Sequence, residues 1–288
     1  MMTETLRRVV LIEADALREL LVNDPRTVLL DVRWSLAEPD GFKAYTRGHI
    51  PGAQFVDLEH DLAAAPSPRE GRHPLPDVAH LQRAARSWGI DDADPVVVYD
   101  DSGGTAAARA WWLLRWGGLH DVHILDGGLH AWREIDGILE DGQVQVQPGN
   151  VQLTPGNMPV IDADDVAAYP SYGVLIDARA GERYRGEQEP IDPRAGHVPG
   201  AVSAPTSDNL QPDQHFRNDA ELTDRFTRVG ATTSRDVAVY CGSGVSATHE
   251  IAALETVGVH AALYPGSWSQ WSADTARPVA TGIERGAQ

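Results

Sequence analysis

Short apolar runs rich in β-branched residues alternate along the chain with longer segments in which apolar residues recur at helix spacing. The strand-like runs lie at 28–33, 96–100, 174–179 and 237–240. The helix-like segments include 78–88, 106–116 and the stretch that begins at residue 245. Strands that alternate with helices are typical of a parallel sheet covered by helices on both faces. The pattern therefore predicts an α/β protein.

The order of these patterns occurs twice. The motif Gly-His-x-Pro-Gly-Ala at 48–53 returns at 196–201, and the segment 127–132, which begins with Gly and ends with Trp, returns at 266–271. Equivalent segments lie about 140 to 148 residues apart, which indicates a tandem duplication. The predicted parts are an N-terminal domain at 1–142, a linker rich in Gln, Gly, Pro and Asn at 143–158, and a C-terminal domain at 159–288.

Composition and charge limit the expected partners. The 288 residues are 42% hydrophobic and 23% charged, which suits a soluble globular protein. The net charge of −18 repels nucleic acid and anionic lipid, so neither is an expected partner. An anionic substrate would therefore need a local positive site.

Cysteine usage and the apolar stretches bear on location and cofactors. A single cysteine excludes an intramolecular disulfide and favours a reducing cytoplasm. Residues 1–8 lack the apolar core of a signal peptide, and no apolar stretch reaches membrane-spanning length. We expect no metal or other cofactor, because the sequence has neither a Cys/His cluster with ligand spacing nor a Gly-rich dinucleotide fingerprint.

The one cysteine, Cys241, stands where the strand 237–240 ends and the next helix begins. Gly242 and Gly244 allow backbone conformations that a Cβ would forbid. Such a loop directs backbone N–H groups inward, and together with the positive end of the helix dipole they form an anion site. A sulfur at its centre is stabilised as the nucleophilic thiolate. The alternative is a buried core cysteine, a common fate of a free cysteine.

The two halves differ at the position of this cysteine. The first half has Asp100 there, and a carboxylate cannot act as a sulfur nucleophile and repels an anion. We therefore expect the loop at 100–105 to be a degenerate copy and the second half to carry the chemistry. The first half is expected to contribute packing and one wall of a cleft, since ligand sites often lie at domain interfaces.

Four motifs together resemble the rhodanese sulfurtransferases over nearly the whole chain, in the two-domain form with an inactive N-terminal domain. They are the Asp-x-Arg strands, the Gly-His-x-Pro-Gly-Ala motif, the cysteine loop and the Gly-Ser-Trp segment. The resemblance implies two tandem rhodanese-like domains, each with a central, mostly parallel sheet flanked by helices. The loop Cys-Gly-Ser-Gly-Val-Ser at 241–246 is most similar to that of 3-mercaptopyruvate sulfurtransferases, in which Thr usually follows Val. Thiosulfate-preferring members more often carry basic residues just after the cysteine.

The family resemblance implies a ping-pong reaction. Cys241 takes the sulfane sulfur of a small anionic donor, 3-mercaptopyruvate or thiosulfate, and becomes a persulfide. A thiol, thioredoxin or cyanide then accepts the sulfur. The residues that the resemblance assigns to substrate binding are Arg183, Arg194, Gly242, Gly244, Val245 and Ser246.

Two of these assignments concern arginines. Arg183 matches the family's substrate-binding arginine, and a guanidinium group grips a carboxylate in a bidentate way that lysine cannot. Its alternative role is that of a solvated surface arginine. Arg194 is the nearest candidate for a second such arginine of the family.

In mercaptopyruvate enzymes the loop serine is proposed to work with a histidine and a carboxylate from the first domain. Ser243, His73 and Glu59 match these positions. The family usually has Asp at the position of Glu59, and Asp57 lies two residues before it. A Ser-His-acid relay could move a proton to the departing pyruvate enolate. The alternative for His73 is an ordinary exposed loop histidine.

Three other functions are weighed against this one. A cysteine phosphatase of the same fold would need an arginine six residues after the cysteine, where this chain has Ala247. A non-catalytic rhodanese-like module for binding or carrying sulfur would not need Cys241, the loop glycines and Arg183 together. Transfer from thiosulfate to cyanide as the main activity stays open.

Overall fold

The computed structural model describes residues 2–35 and 40–283, with side chains described from residue 6 onward. The chain forms two compact units. Unit 1 comprises Met1–Ala63, Pro76–Met158 and Gln211–Phe216. Unit 2 comprises Ala64–Leu75, Pro159–Leu210 and Arg217–Gln288. Across the described ranges, no helix is both long and apolar enough to cross a membrane.

Unit 1 is built on a five-stranded parallel sheet with the strand order β1-β5-β4-β2-β3. Its strands are β1 (Leu11–Ile12), β2 (Val28–Asp31), β3 (Gln54–Phe55), β4 (Val96–Tyr99) and β5 (Val122–Leu125). Its helices are α1 (Met2–Val10), α2 (Ala14–Asn23), α3 (Phe42–Tyr45), α4 (Leu58–Asp61), α5 (Val78–Ser87), α6 (Ala107–Trp116) and α7 (Gly128–Glu134). All four residues of β4 are buried, as expected for a central strand of a covered parallel sheet.

Unit 2 repeats this plan with four parallel strands in the order β7-β6-β8-β9. Its strands are β6 (Val174–Asp177), β7 (Val202–Ser203), β8 (Val237–Tyr240) and β9 (Ala261–Leu263). Its helices are α8 (Ala163–Ala168), α9 (Gly181–Tyr184), α10 (Asp219–Arg228), α11 (Ser246–Thr256) and α12 (Ser267–Ala273), with 3₁₀ turns at Tyr169–Ser171 and Thr206–Asn209. The predicted α/β class with parallel sheets flanked by helices is confirmed.

The repeated sequence motifs bind each other within each unit. In unit 2, Arg179 Nη2 donates to the Asp177 carboxylate at 2.6 Å and to the carbonyl oxygen of Gly196 at 2.6 Å. Arg33 makes the equivalent two contacts in unit 1. A buried guanidinium that bridges the end of a strand to the next motif fixes the chain leaving the strand, so these residues are structural.

Two short segments belong to one repeat in sequence and to the other unit in structure. Segment 64–75, from the first half of the chain, is part of unit 2, and segment 211–216, from the second half, is part of unit 1. The sequence pattern contained no sign of this exchange. It puts His73 inside unit 2, with Cys241. The predicted division at 143–158 stays a prediction.

Asp100 fills the loop that follows β4. Its Oδ1 accepts the N–H groups of Ser102 and Gly104 at 2.9 and 2.8 Å. Its Oδ2 accepts those of Ala106 and Ala107 at 2.8 and 3.0 Å. The loop therefore forms an anion site around the first turn of α6, and the chain's own carboxylate occupies it.

We expect Asp100→Asn to lower the free energy of unfolding by about 2 kcal/mol, because an amide removes the charge and turns one acceptor into a donor facing N–H groups. Denaturant unfolding followed by circular dichroism measures this. Asp141→Asn is the control, since Asp141 is an exposed aspartate of the same unit, and it should change stability by under about 0.5 kcal/mol. Equal midpoints for the two variants would contradict this role of Asp100.

Candidate active site

Cys241 directly follows the central strand β8 and is buried, with 1% of its surface exposed. Its Sγ accepts the N–H of Gly244 at 3.1 Å. Its carbonyl oxygen accepts the N–H of Trp268 at 2.9 Å, and its N–H donates to Ser267 Oγ at 3.2 Å. The sulfur is thus held at the carboxyl end of a sheet strand, where ligand sites of α/β proteins lie.

Helix α11 begins a few residues after this sulfur and offers backbone donors at its start. The N–H groups of Val245, Ser246 and Ala247 have no backbone acceptor within the described ranges, as expected at the start of a helix. In unit 1 the corresponding donors, those of Ala106 and Ala107, are held by a carboxylate. The loop after β8 can therefore stabilise negative charge on sulfur or on a departing group.

Backbone packing explains why residue 244 is a glycine. Gly244 has a φ of +80°, and a Cβ there would lie 2.6 Å from the carbonyl oxygen of Pro265. Gly242 accepts the N–H of Ser269 at 2.8 Å through its carbonyl oxygen. The loop is thus clamped against the start of α12, and only glycine fits at position 244 without strain.

Ser243 and His73 form a hydrogen-bonded pair next to the cysteine. Ser243 Oγ lies 2.7 Å from His73 Nδ1, and His73 has 1% of its surface exposed. The alternative that His73 is an exposed loop histidine is therefore wrong. The neighbouring N–H of Arg72 donates to Ser269 Oγ at 3.0 Å, which anchors segment 64–75 to α12.

Arg183 also lies close to the loop. Its Nη2 donates to Glu189 at 2.6 Å and to Asp192 at 3.0 Å, and its side chain is 17% exposed. A Cβ built on Gly242 would lie 3.3 Å from Arg183 Nη1. A guanidinium group therefore stands beside the residue that follows Cys241, where it could bind an anionic donor.

Comparison with known proteins identifies this arrangement. The family described as Rhodanese-like domain matches residues 13–135 and 161–274. The chain belongs to the rhodanese family. The two matches confirm the predicted pair of rhodanese domains.

Named relatives extend over almost all of this rhodanese. A putative thiosulfate sulfurtransferase, SseB, from Mycobacterium tuberculosis is 46% identical over 276 residues, which cover 95% of this chain and 97% of the relative. A probable 3-mercaptopyruvate sulfurtransferase from Pseudomonas aeruginosa is 46% identical over 269 residues, 91% and 94% of the two chains. The crystal structure of SseA from Escherichia coli, described among the 3-mercaptopyruvate sulfotransferases, matches with a TM-score of 0.80 at 33% identity and covers 90% and 98%. These matches confirm the prediction of a sulfurtransferase.

The rhodanese loop gathers most of the predicted residues within unit 2. Those that lie on the loop, bond to it or stand beside it are Cys241, Gly242, Ser243, Gly244, Val245, Ser246, His73 and Arg183.

The guanidinium group of Arg194 binds backbone carbonyl groups. Its Nε donates to the carbonyl oxygen of Ser272 at 2.7 Å, and its Nη1 and Nη2 donate to those of Arg277 and Trp271, each at 2.8 Å. The guanidinium thus satisfies carbonyl groups at and beyond the carboxyl end of α12. These contacts give Arg194 a structural role, and its role in substrate binding stays a prediction.

Glu59 belongs to unit 1. It is exposed on α4, and its Oε1 accepts the indole N–H of Trp34 at 3.2 Å. Asp57, also considered from the sequence, caps the same helix by accepting the N–H groups of Glu59 and His60. The role of Glu59 in a relay stays a prediction.

Three functional candidates were missed in the sequence. Arg72 Nη1 donates to Asp192 at 2.7 Å, and Arg72 Nη2 would lie 3.2 Å from a Cβ on Gly242. Asp192 binds both arginines and Glu189 binds Arg183, and each carboxylate side chain is 3% exposed. For Arg72 the only signal was that it directly precedes His73, because its contact with Asp192 spans 120 residues. Glu189 and Asp192 lie six and nine residues after Arg183, so their acidic side chains were a local signal.

We expect Gly244→Ala to reduce sulfur transfer about 100-fold, because the loop must move away from Pro265 and the sulfur moves with it. Gly230→Ala is the control, since Gly230 has a φ of +83° and its Cβ would meet Val174 at an ordinary 3.7 Å. In both variants backbone strain should lower the free energy of unfolding by about 1–2 kcal/mol. Activity equal in the two variants, measured at matched folded fractions, would contradict the role of this packing.

Proposed function

We propose that the protein transfers the sulfane sulfur of 3-mercaptopyruvate to a thiol acceptor through a persulfide on Cys241. The observation that carries the proposal is the hydrogen bond of 2.7 Å between Ser243 Oγ and His73 Nδ1, two residues from the cysteine in the loop. The pair supports 3-mercaptopyruvate in particular because of what each donor releases. Thiosulfate releases sulfite, a stable anion, whereas 3-mercaptopyruvate releases an enolate that must gain a proton.

The first half-reaction moves sulfur to the enzyme. The Cys241 thiolate attacks the donor sulfur, the new S–S bond forms, and the donor's C–S bond breaks with its electron pair left on the pyruvate enolate. The hydroxyl of Ser243 delivers a proton to the enolate carbon and regains one from the imidazole of His73, to which it is hydrogen-bonded. Loop N–H groups and Arg183 would hold the donor's negative charge meanwhile.

The second half-reaction regenerates the thiolate. A thiolate acceptor, from a small thiol or thioredoxin, attacks the outer sulfur of the persulfide, and the electrons of the S–S bond return to Cys241. Cyanide can take the same sulfur as thiocyanate. The single, unpaired cysteine needs a reducing compartment, so we propose cytoplasmic action.

Transfer from thiosulfate is the second candidate. A specific observation favours it, since two guanidinium groups, those of Arg72 and Arg183, stand beside Gly242 in a loop whose own residues are neutral. A thiosulfate dianion would benefit from that positive surrounding. Relatives of equal identity carry names from both activities.

We expect the wild type to form a persulfide with 3-mercaptopyruvate and Cys241→Ser to form none, because serine lacks a nucleophilic sulfur. Intact-protein mass spectrometry detects the single added sulfur, and pyruvate release measures turnover. Absence of both signals in the wild type with either donor would remove the enzymatic proposal and favour a binding module.

The Ser243–His73 pair should matter mainly for the donor that needs a proton. We expect Ser243→Ala and His73→Ala to lower kcat/KM with 3-mercaptopyruvate by about 10²- to 10⁴-fold, the range for a lost general acid. With thiosulfate the loss should stay within about tenfold, since sulfite leaves without protonation at carbon.

Steady-state kinetics with both donors measures this difference, and Glu59→Gln is run beside the two variants. An equal loss with both donors would show that the pair supports the loop rather than the proton transfer. A loss in Glu59→Gln that matches His73→Ala, again only with 3-mercaptopyruvate, would bring the carboxylate into the relay.

A further inference from the structure

Two guanidinium groups flank the residue that follows the nucleophile. A Cβ built on Gly242 would lie 3.2 Å from Arg72 Nη2 and 3.3 Å from Arg183 Nη1. The side chains of both arginines stay partly exposed, at 25% and 17%. Both therefore combine access from solvent with a position next to Cys241.

Asp192 holds the two groups together. Its Oδ1 accepts Arg72 Nη1 at 2.7 Å, and its Oδ2 accepts Arg183 Nη2 at 3.0 Å. The carboxylate is buried, with 3% of its side chain exposed. Glu189 adds a contact of 2.6 Å to Arg183. The carboxylates thereby fix the spacing of the two arginines instead of covering the nitrogens that face the loop.

The nitrogens that face the loop have no acceptor among the described residues. Arg72 Nη2 and Arg183 Nη1 make no hydrogen bond there, and Arg72 Nε is a buried donor without a partner. A guanidinium group has five N–H donors. When several of them have no acceptor at a partly desolvated site, binding of an oxyanion there is favoured. The residues of the loop itself are neutral. The second positive group beside it, that of Arg72, comes from segment 64–75.

We infer that Arg72 is a second donor-binding arginine and that, with Arg183, it holds an oxyanion of the sulfur donor. That oxyanion is the carboxylate of 3-mercaptopyruvate or the sulfonate end of thiosulfate. Asp192 is a positioning residue that sets the distance between the two arginines. The identity of the donors rests on the proposed function, whereas the oxyanion site itself does not.

Direct binding tests the site without sulfur transfer. In a Cys241→Ser background, titration calorimetry with thiosulfate should give a Kd that rises at least about tenfold on Arg72→Ala, the usual result of losing a charge-assisted hydrogen bond. The Kd of Arg72→Lys should lie between those of the parent and of Arg72→Ala, since lysine keeps the charge but cannot form the bidentate contact of a guanidinium group. Removal of Arg72 leaves Asp192 paired with Arg183, so the fold should persist, and circular dichroism checks it.

Arg235→Ala is the matched control. Arg235 is an exposed arginine of unit 2, so its removal changes the net charge equally, and the Kd should change by less than about twofold. A Kd that responds equally to Arg72→Ala and Arg235→Ala would overturn the inference.

Kinetics separates this inference from the proposed function. With Cys241 intact, Arg72→Ala and Asp192→Asn should raise KM for both donors with little change in kcat. The rise in KM should be larger for thiosulfate, because thiosulfate carries two negative charges. If the wild type binds thiosulfate through Arg72 but transfers no sulfur, the proposed function is contradicted and the binding role of Arg72 is not. If both variants transfer sulfur normally with unchanged KM values, the binding role of Arg72 is contradicted and the proposed function is not.

Discussion

The structure depends on the loops in which backbone N–H groups converge after the central strand of each unit. Buried donors of this kind must be given an acceptor. In unit 1, Asp100 supplies a carboxylate that accepts four of them. In unit 2, Cys241 stands at the same place and its sulfur accepts one N–H, that of Gly244. One backbone arrangement thus gives a closed structural site with Asp and a reactive site with Cys.

Attraction of an anion to a protein with a net charge of −18 requires directed donors rather than overall charge. The arginines beside Gly242 meet that requirement even though buried carboxylates balance them. Asp192 and Glu189 occupy some guanidinium nitrogens and leave others directed at the loop. The paired carboxylates keep the guanidinium groups in place, so little side-chain freedom is lost when an oxyanion binds.

Local patterns were sufficient to predict the sheets, the duplication and the cysteine loop, because strand periodicity and loop glycines are encoded over a few residues. Family resemblance added His73, which lies 170 positions from Ser243 and bonds to it. Arg72 was missed, and the backbone contacts of Arg194 were not foreseen, for one physical reason. Their partners lie far away in the chain, and nothing in the neighbouring sequence fixes which carbonyl or carboxylate a guanidinium meets.

The exchange of segments 64–75 and 211–216 brings residues of the half without the cysteine into the unit that holds Cys241. His73 and Arg72 come from the first repeat in sequence, yet both complete unit 2. In return, the N–H of Phe216, from the second repeat, donates to Asp126 of unit 1 at 2.8 Å. Neither repeat therefore contains a whole unit. The second repeat supplies Cys241 and Arg183, whereas His73 and Arg72, which lie beside the same loop, come from the first repeat.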